Sequence, residues 1–279
     1  MNLVAISSLS PKDLGILVPI NDRWRFCRVI QPDWTQTTSA VARWSKFRRS
    51  PLTTIGRRLQ KPYYDRHMKR LDEQITSLCF ASSVILSLDA PRSLVPSREL
   101  NSDATAAIIR AAEPDVMITS TCPILKRKIF DIPRFGTINI HWGIAPLYRG
   151  TDTLFWPLYY GDFENIGVTI HRIDDGIDTG PILAQGFPEL QPDDTEATLF
   201  AKCATLAAEL LETVLMQIET APTGSSLSTT THGRLFRERD RTVWHEIVYC
   251  ARRKMRRRYT PPNRERRTKI AWVSDTVLV

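Results

Sequence analysis

An asparagine and a histidine two residues apart, Asn139 and His141, lie in the run Gly136-Thr-Ile-Asn-Ile-His-Trp-Gly143. Residues two apart in an extended chain share a face, so Asn139 and His141 point one way and Ile138 and Ile140 the other. Two polar groups on one face of an otherwise apolar strand need partners or a cleft, because an unpaired buried polar group costs about 1–3 kcal/mol. Gly143 and Pro146 follow at once and put the pair at the strand's end, where ligands gather in open α/β sheets. An amide donor beside an imidazole can serve a reacting carbonyl. The same two side chains could equally be satisfied by neighbouring backbone.

A second run, Gly167-Val-Thr-Ile-His-Arg-Ile-Asp-Asp-Gly-Ile-Asp-Thr-Gly-Pro181, reads as a strand from Val168 to Ile173 with Thr169, His171 and Ile173 on one face. Asp174, Asp175 and Asp178 follow in a glycine-containing loop. Their spacing does not match a calcium loop, which needs carboxylates at alternate positions and a closing glutamate. A general acid–base site and an acid-lined surface turn both remain open from the residues alone.

The elements that must position these residues follow from apolar runs. Asn2–Ser7, Phe26–Ile30, Ser82–Leu88 and Asp115–Thr121 read as buried strands, with helices over Pro11–Val18 and about Asp103–Ala112. Continuous apolar strands alternating with helices predict an α/β fold, with a Rossmann-like, mostly parallel sheet flanked by helices. A long helix over 194–219 presents Leu199, Cys203, Leu206, Leu210, Val214 and Ile218 as one stripe, with a start of capping-box type at Asp193 and Glu196. Residues 40–80 depart from this rhythm. They form a helical basic insertion in which Met68, Leu71, Ile75 and Leu78 have helical spacing. The catalytic domain is expected over 1–220, followed by a basic, helical extension over 221–279 with a helix from Thr242 to about Arg258.

With 42% hydrophobic residues the chain can bury a sizeable core, and no stretch approaches the ~20 apolar residues of a membrane span. The N-terminus lacks the order of a secretory signal. Cysteines 27, 79, 122, 203 and 250 are scattered and fit neither a disulfide framework nor a zinc site, which predicts a cytoplasmic protein with no metal. The net charge of +8 is uneven: ten Lys/Arg against one acid over 43–70, and fourteen against four over 234–269, around an acidic centre. Such flanks suit a phosphorylated or otherwise anionic partner, or they are solvated helix faces. No Walker or dinucleotide-binding signature is present, so ATP and NAD have no support.

Together the two central runs resemble the catalytic domain of the 10-formyltetrahydrofolate-dependent formyltransferases. That family includes the glycinamide ribonucleotide, methionyl-tRNA and sugar N-formyltransferases. The resemblance is carried by Asn139-x-His141, by Pro146-Leu-Tyr-Arg-Gly150, and by His171 followed seven residues later by Asp178, with Pro181, Ile182 and Leu183 leading into the next strand. It extends from about Glu99 to Leu215. Gly143 stands where the family usually has serine, Ala145 where leucine is common, and the basic insertion is not general.

The resemblance implies a transferase of one-carbon metabolism with 10-formyltetrahydrofolate as donor. It implies Asn139, His141 and Asp178 as catalytic residues, with His171 orienting Asp178 or a water. Thr121, Cys122, Ile124 and Leu125 would line one wall of the folate cleft, and Ile173, Asp174 and Asp175 the other. Arg149 and Trp156 are the candidates on the acceptor side. The favoured acceptor is a small-molecule amine, an amino sugar or nucleotide-linked amino sugar. Methionyl-tRNA is the alternative, and a non-catalytic folate-binding relative a further one. The tRNA branch carries a C-terminal β-barrel, which 221–279 does not suggest, but it too has an early basic insertion.

Overall fold

A strand buried on both sides must place successive residues in two cores, and β1 (Leu3–Ser7) does so: Leu3 and Ala5 pack into one hydrophobic cluster, Val4 and Ile6 into another. The computed structural model of the protein describes residues 1–35, 51–79, 88–221, 226–227, 233–255 and 261–271. After β1 come α1 (Pro11–Trp24), β2 (Phe26–Asp33), α2 (Pro51–Cys79), β3 (Arg92–Pro96), α3 (Asp103–Arg110), β4 (Val116–Ser120) and α4 (Arg127–Phe130). Then follow β5 (Thr137–His141), β6 (Tyr148–Gly150), α5 (Phe155–Tyr160), β7 (Val168–Arg172), β8 (Ile182–Phe187), α6 (Glu196–Thr220), β9 (Arg234–Phe236), α7 (Val243–Met255) and β10 (Arg267–Ile270).

The main sheet has the order β10-β8-β7-β5-β4-β1-β2-β3. Strands β5, β4, β1, β2 and β3 are parallel, whereas β7 is antiparallel to both β5 and β8, and β10 is antiparallel to β8. Helices α1, α2 and α6 cover one face, and α3 and α4 the other. This is the mostly parallel, Rossmann-like α/β sheet expected from the apolar runs.

The expected stripe of α6 is buried along its whole length, from Leu199 to Ile218. Its start differs from expectation. The cap is Thr195, not Asp193: Thr198 N donates to Thr195 Oγ1 at 3.2 Å and Thr195 N to Thr198 Oγ1 at 2.8 Å. Two threonine hydroxyls thus satisfy the free amides that a glutamate would otherwise serve. In α2, Leu71 and Ile75 are buried and Met68 half-buried, but Leu78 is 50% exposed, one turn beyond the contact with the body. Of the insertion, 40–50 and 80 lie outside the described residues, as do 82–87 of the strand expected over Ser82–Leu88. The edge strand β3 carries no apolar alternation, since Leu94 is 68% exposed and Pro96 ends it.

Among its described residues the extension carries one α-helix, α7, and a 3-10 turn over Glu238–Asp240. It also supplies β9, which pairs in parallel with β6, and β10, which closes one sheet edge. Phe236 of β9 is 1% exposed and stacks on Trp156 at 4.6 Å between ring centres. Replacing Phe236 with alanine is expected to lower the unfolding free energy by about 3–5 kcal/mol, measured by urea denaturation. A loss within experimental error would show that the extension does not share the core.

Candidate active site

Three neighbouring strands bring polar side chains into one row. The sheet register sets Thr119 of β4 beside Asn139 of β5, and Asn139 opposite His171 of β7. Thr119 Oγ1 lies 2.9 Å from Asn139 Oδ1 and donates to it. That turns the amide so that Nδ2 faces His171 Nε2 at 3.1 Å. The other ring nitrogen, His171 Nδ1, is 2.8 Å from the Arg172 carbonyl, which can only accept, so Nδ1 carries the proton and Nε2 takes one from the amide. Asn139 keeps a second N–H for which no acceptor is present in this row.

A second row, His141, Thr169 and Gln185, runs beside the first. Thr169 Oγ1 donates to the Gly143 carbonyl at 2.7 Å and accepts from Ala145 N at 3.0 Å, while Gln185 Nε2 donates to the Ala145 carbonyl at 2.8 Å. These bonds fix the turn that follows β5. Gly143 is required there, because a Cβ would come within 2.7 Å of Thr153 Cβ. A serine at this position would have to displace Thr153.

Asp178 reaches both rows from the loop after β7. Its Oδ2 accepts from Gly150 N at 2.7 Å and lies 3.4 Å from His141 Nδ1, and its Oδ1 lies 3.5 Å from His171 Nε2. His141 Nε2 donates to the Tyr148 carbonyl at 2.7 Å. Strand β6 thus anchors the acid and the imidazole at once. Only glycine lets β6 lie against β9 at this point, since Gly150 has φ +91° and a Cβ there would meet the Phe236 carbonyl at 2.0 Å.

Burial drives the pKa of His141 below its ordinary value; His171 adds to this and the Asp178 charge opposes it. Burial would push the Asp178 carboxyl up, but His141, His171 and the Gly150 N–H together hold it well below the usual carboxylate range. Near neutral pH the site therefore holds a carboxylate facing a neutral imidazole. The unprotonated Nδ1 of His141 looks at that carboxylate, and the pair is set to receive one proton.

The residues expected to line a cofactor cleft lie on two loops beside this cluster. Ile124 is 69% exposed, Thr121 exposed, and Cys122 and Ile173 half-buried. Leu125 turns its side chain, 6% exposed, into the core under α3 and α4, which leaves its backbone for the lining expected of this loop. Burial pushes the Cys122 thiol up to about 12, which makes it an inert wall residue. Asp174 Oδ1 accepts from Gly176 N at 3.0 Å and Thr179 Oγ1 at 2.8 Å and so closes its own turn, while Asp175 pairs with Arg127 and ties the two loops together. On the acceptor side Trp156 is a correction: at 2% exposed it is locked among Phe155, Tyr159, Phe236 and His245. Arg149 is half-buried, with Nη2 donating to the Gly233 carbonyl at 3.2 Å.

Several supporting residues escaped sequence reasoning. Asp13, in the first turn of α1, is fully buried and accepts from Ser7, Ser8, Ser120 and Thr121 at 2.6–3.1 Å. It thereby holds Thr121, whose φ is +50°, at the mouth of the first loop. Asn101 clamps the same loop through the Ile124 carbonyl at 2.9 Å and Lys126 N at 2.6 Å. Nothing in sequence links positions so far apart. An open groove of about 620 Å³ lined by Glu189, Asp193 and Arg264 shares no residue with the cluster.

Comparison with known proteins adds the following. A family model described as formyl transferase matches residues 60–215. A methionyl-tRNA formyltransferase of Halorhodospira halophila is 39% identical over 111 residues, 39% of this chain and 36% of that protein. One of Aromatoleum aromaticum is 32% identical over 154 residues, 55% of this chain and 46% of that protein. The chain therefore spans less than half the length of these curated relatives. Among solved structures, a sugar N-formyltransferase of a Shewanella species superposes with a TM-score of 0.54 at 16% identity, over 91% of this chain and 87% of that one. A phosphoribosylglycinamide formyltransferase of Anaplasma phagocytophilum gives 0.54 at 15% identity, over 85% of this chain and 98% of that one. At such identities the likeness is one of fold.

The electrostatics of the cluster lead to a direct expectation. By NMR the His141 imidazole should titrate below 6.5. Asp178→Asn removes the charge that raises His141 while tolerating the left-handed φ of +50°, so it should move the midpoint further down. A wild-type midpoint at or above 6.5 contradicts the buried placement of the ring.

Proposed function

The chain belongs to the formyl transferase family, matched over more than half of its residues, and on that premise we propose that it is an N-formyltransferase acting from 10-formyltetrahydrofolate. The acceptor is the primary amine of a small molecule, with an amino sugar or nucleotide-linked amino sugar favoured. The observation that carries the reading is the convergence of Asn139, His141 and Asp178, with Asp178 Oδ2 3.4 Å from His141 Nδ1 and an amide N–H of Asn139 left over.

Formyl transfer needs three services. A neutral amine attacks the formyl carbon, forming the new C–N bond and an oxyanion. The free N–H of Asn139 donates to that oxygen, a contact worth on the order of 3–4 kcal/mol of barrier in comparable sites. The proton lost by the attacking nitrogen goes to His141 Nδ1, where Asp178 stabilises the imidazolium. The bond to N10 of the folate then breaks as that nitrogen takes up a proton, delivered back from the same pair. His171 accepts from the amide and so aligns Asn139 in this scheme, and it touches no reacting atom.

The donor cleft is proposed between the loops at 121–124 and 173–175. Exposed Ile124 and half-buried Cys122 and Ile173 support this, since they offer an apolar rim of the kind a flat pterin ring needs. Asp174 and Asp175 shape the second loop. Arg149 is kept as an acceptor contact. The catalytic body is taken as 1–220, and the extension contributes β9 to it. A cytoplasmic setting is proposed, in line with unpaired Cys27, Cys122, Cys203 and Cys250. Among the described residues no helix is long and apolar enough to cross a membrane.

A second reading, formylation of methionyl-tRNA, is favoured by the names of the curated relatives. The described residues beyond 232 pack on the catalytic body as β9, α7 and β10 under either reading.

Purified protein given 10-formyltetrahydrofolate should release tetrahydrofolate with a pool of amino-sugar nucleotides and not with charged initiator tRNA; the reverse outcome selects the second reading. Asn139→Ala should lower turnover by about 10²–10³-fold with folding intact, followed by the same release assay and circular dichroism. Near-normal turnover in that variant would remove Asn139 from the site.

A further inference from the structure

The extension sends one side chain deep into the body. Arg241, just before α7, has a guanidinium that is 1% exposed and uses all five of its N–H donors. Nε donates to Glu246 Oε1 at 2.6 Å. Nη1 donates to Asp152 Oδ1 at 3.0 Å and Glu196 Oε1 at 2.8 Å. Nη2 donates to Glu196 Oε2 at 2.7 Å and His67 Nε2 at 2.9 Å. The plane also lies over the Phe155 ring at 3.8 Å. One cation thus joins α2, the turn after β6, the start of α6 and α7.

The partner that matters for chemistry is Asp152. It stands two residues beyond Gly150, whose N–H holds Asp178, and four beyond Tyr148, whose carbonyl holds His141. Its backbone is left-handed, with φ +56°, a conformation that a residue other than glycine keeps only when its surroundings impose it. The surroundings here are the bond from Arg241 and the Tyr64 hydroxyl at 3.4 Å. On its other side the turn is held by Thr151 N donating to the Phe236 carbonyl at 3.0 Å and by Thr153 Oγ1 donating to the Trp142 carbonyl at 2.5 Å.

We propose that Arg241 is a positioning residue for formyl transfer: through Asp152 it holds the turn after β6 so that Gly150 N–H and the Tyr148 carbonyl keep Asp178 and His141 in register. This rests on the formyl-transfer reading above and extends the working site into the C-terminal extension. A role in stability alone does not explain why the cluster is unbalanced. Three carboxylates share one guanidinium, and a well-paired stability device needs fewer. Burial and the neighbouring Glu196 push the Asp152 carboxyl up, against the pull of Arg241. Asp152 is the member of the cluster that belongs to the turn after β6, and its bond from Arg241 is what joins the two.

Replacing Arg241 itself would strand three buried carboxylates and unfold the protein, so Asp152 carries the test. Asp152→Gly accepts the left-handed backbone, removes the tether and relieves the excess negative charge. Asp152→Asn keeps an oxygen that accepts from Arg241 and also tolerates the backbone. The glycine variant should keep its thermal midpoint, lose about tenfold or more in kcat and leave KM for the formyl donor within about threefold, as expected when catalytic groups shift by a fraction of an ångström. The asparagine variant should restore kcat to within about threefold of wild type. In the glycine variant the NMR titration of His141, which faces Asp178 and His171, should move up toward 6.5 as water enters the loosened site. Wild-type kcat in the glycine variant, failure of asparagine to restore it, or an unmoved His141 titration overturns the proposal. If the wild-type protein transfers no formyl group, the functional reading fails, and the His141 titration still decides whether Asp152 and the site are coupled.

Discussion

The Asp178 carboxylate, buried between two imidazoles, is a charge held in the interior by the Gly150 N–H that donates to it and by His141 Nδ1, which faces it and can take up a proton beside it. Each imidazole is itself held by backbone: His141 by the Tyr148 carbonyl and His171 by the Arg172 carbonyl. The charge keeps its place only while β5, β6 and β7 keep theirs. Strands β5 and β7 lie where the main sheet changes from parallel to antiparallel, and that change brings Asn139 directly opposite His171.

Two further buried charges repeat this logic around the site. Asp13 gathers hydroxyls from the ends of β1 and β4 and fixes the start of the loop after β4. Arg241 gathers carboxylates from three elements and fixes the turn behind the acid. Buried ions are poor sources of net stability, because desolvation offsets most of the Coulomb gain. They are good at specifying one arrangement, because a displaced partner leaves a bare charge. Loops, which lack the regular ladders of strands, are where such specification is needed.

The strands and helices of the body were legible because their burial follows a fixed period. Val116–Ser120, Thr137–His141 and the α6 stripe each satisfy one. Legibility failed where tertiary context overrode local pattern. Leu78 has the spacing of a core residue but lies past the end of the packing surface, and Leu125 sits in the loop after β4 yet turns into the core. Trp156 was a candidate on the acceptor side, but the extension, through Phe236 and His245, covers it. The strands β9 and β10 were hidden because short, basic segments show no alternation until another strand receives them.

What sequence by itself determined is the class of fold and the identity of the residues with chemical capacity: an amide, two imidazoles and a carboxylate in recognisable spacing. Their types and periods are local properties, set by side-chain chemistry and the geometry of a strand. Only the tertiary structure decided that Asp178 faces both imidazoles, that Gly143 has no room for a side chain, and that Arg241 stands behind the turn after β6. Those relations join positions dozens of residues apart, and their energies come from burial and from charges at distances of a few ångströms, which exist only once the chain has closed on itself.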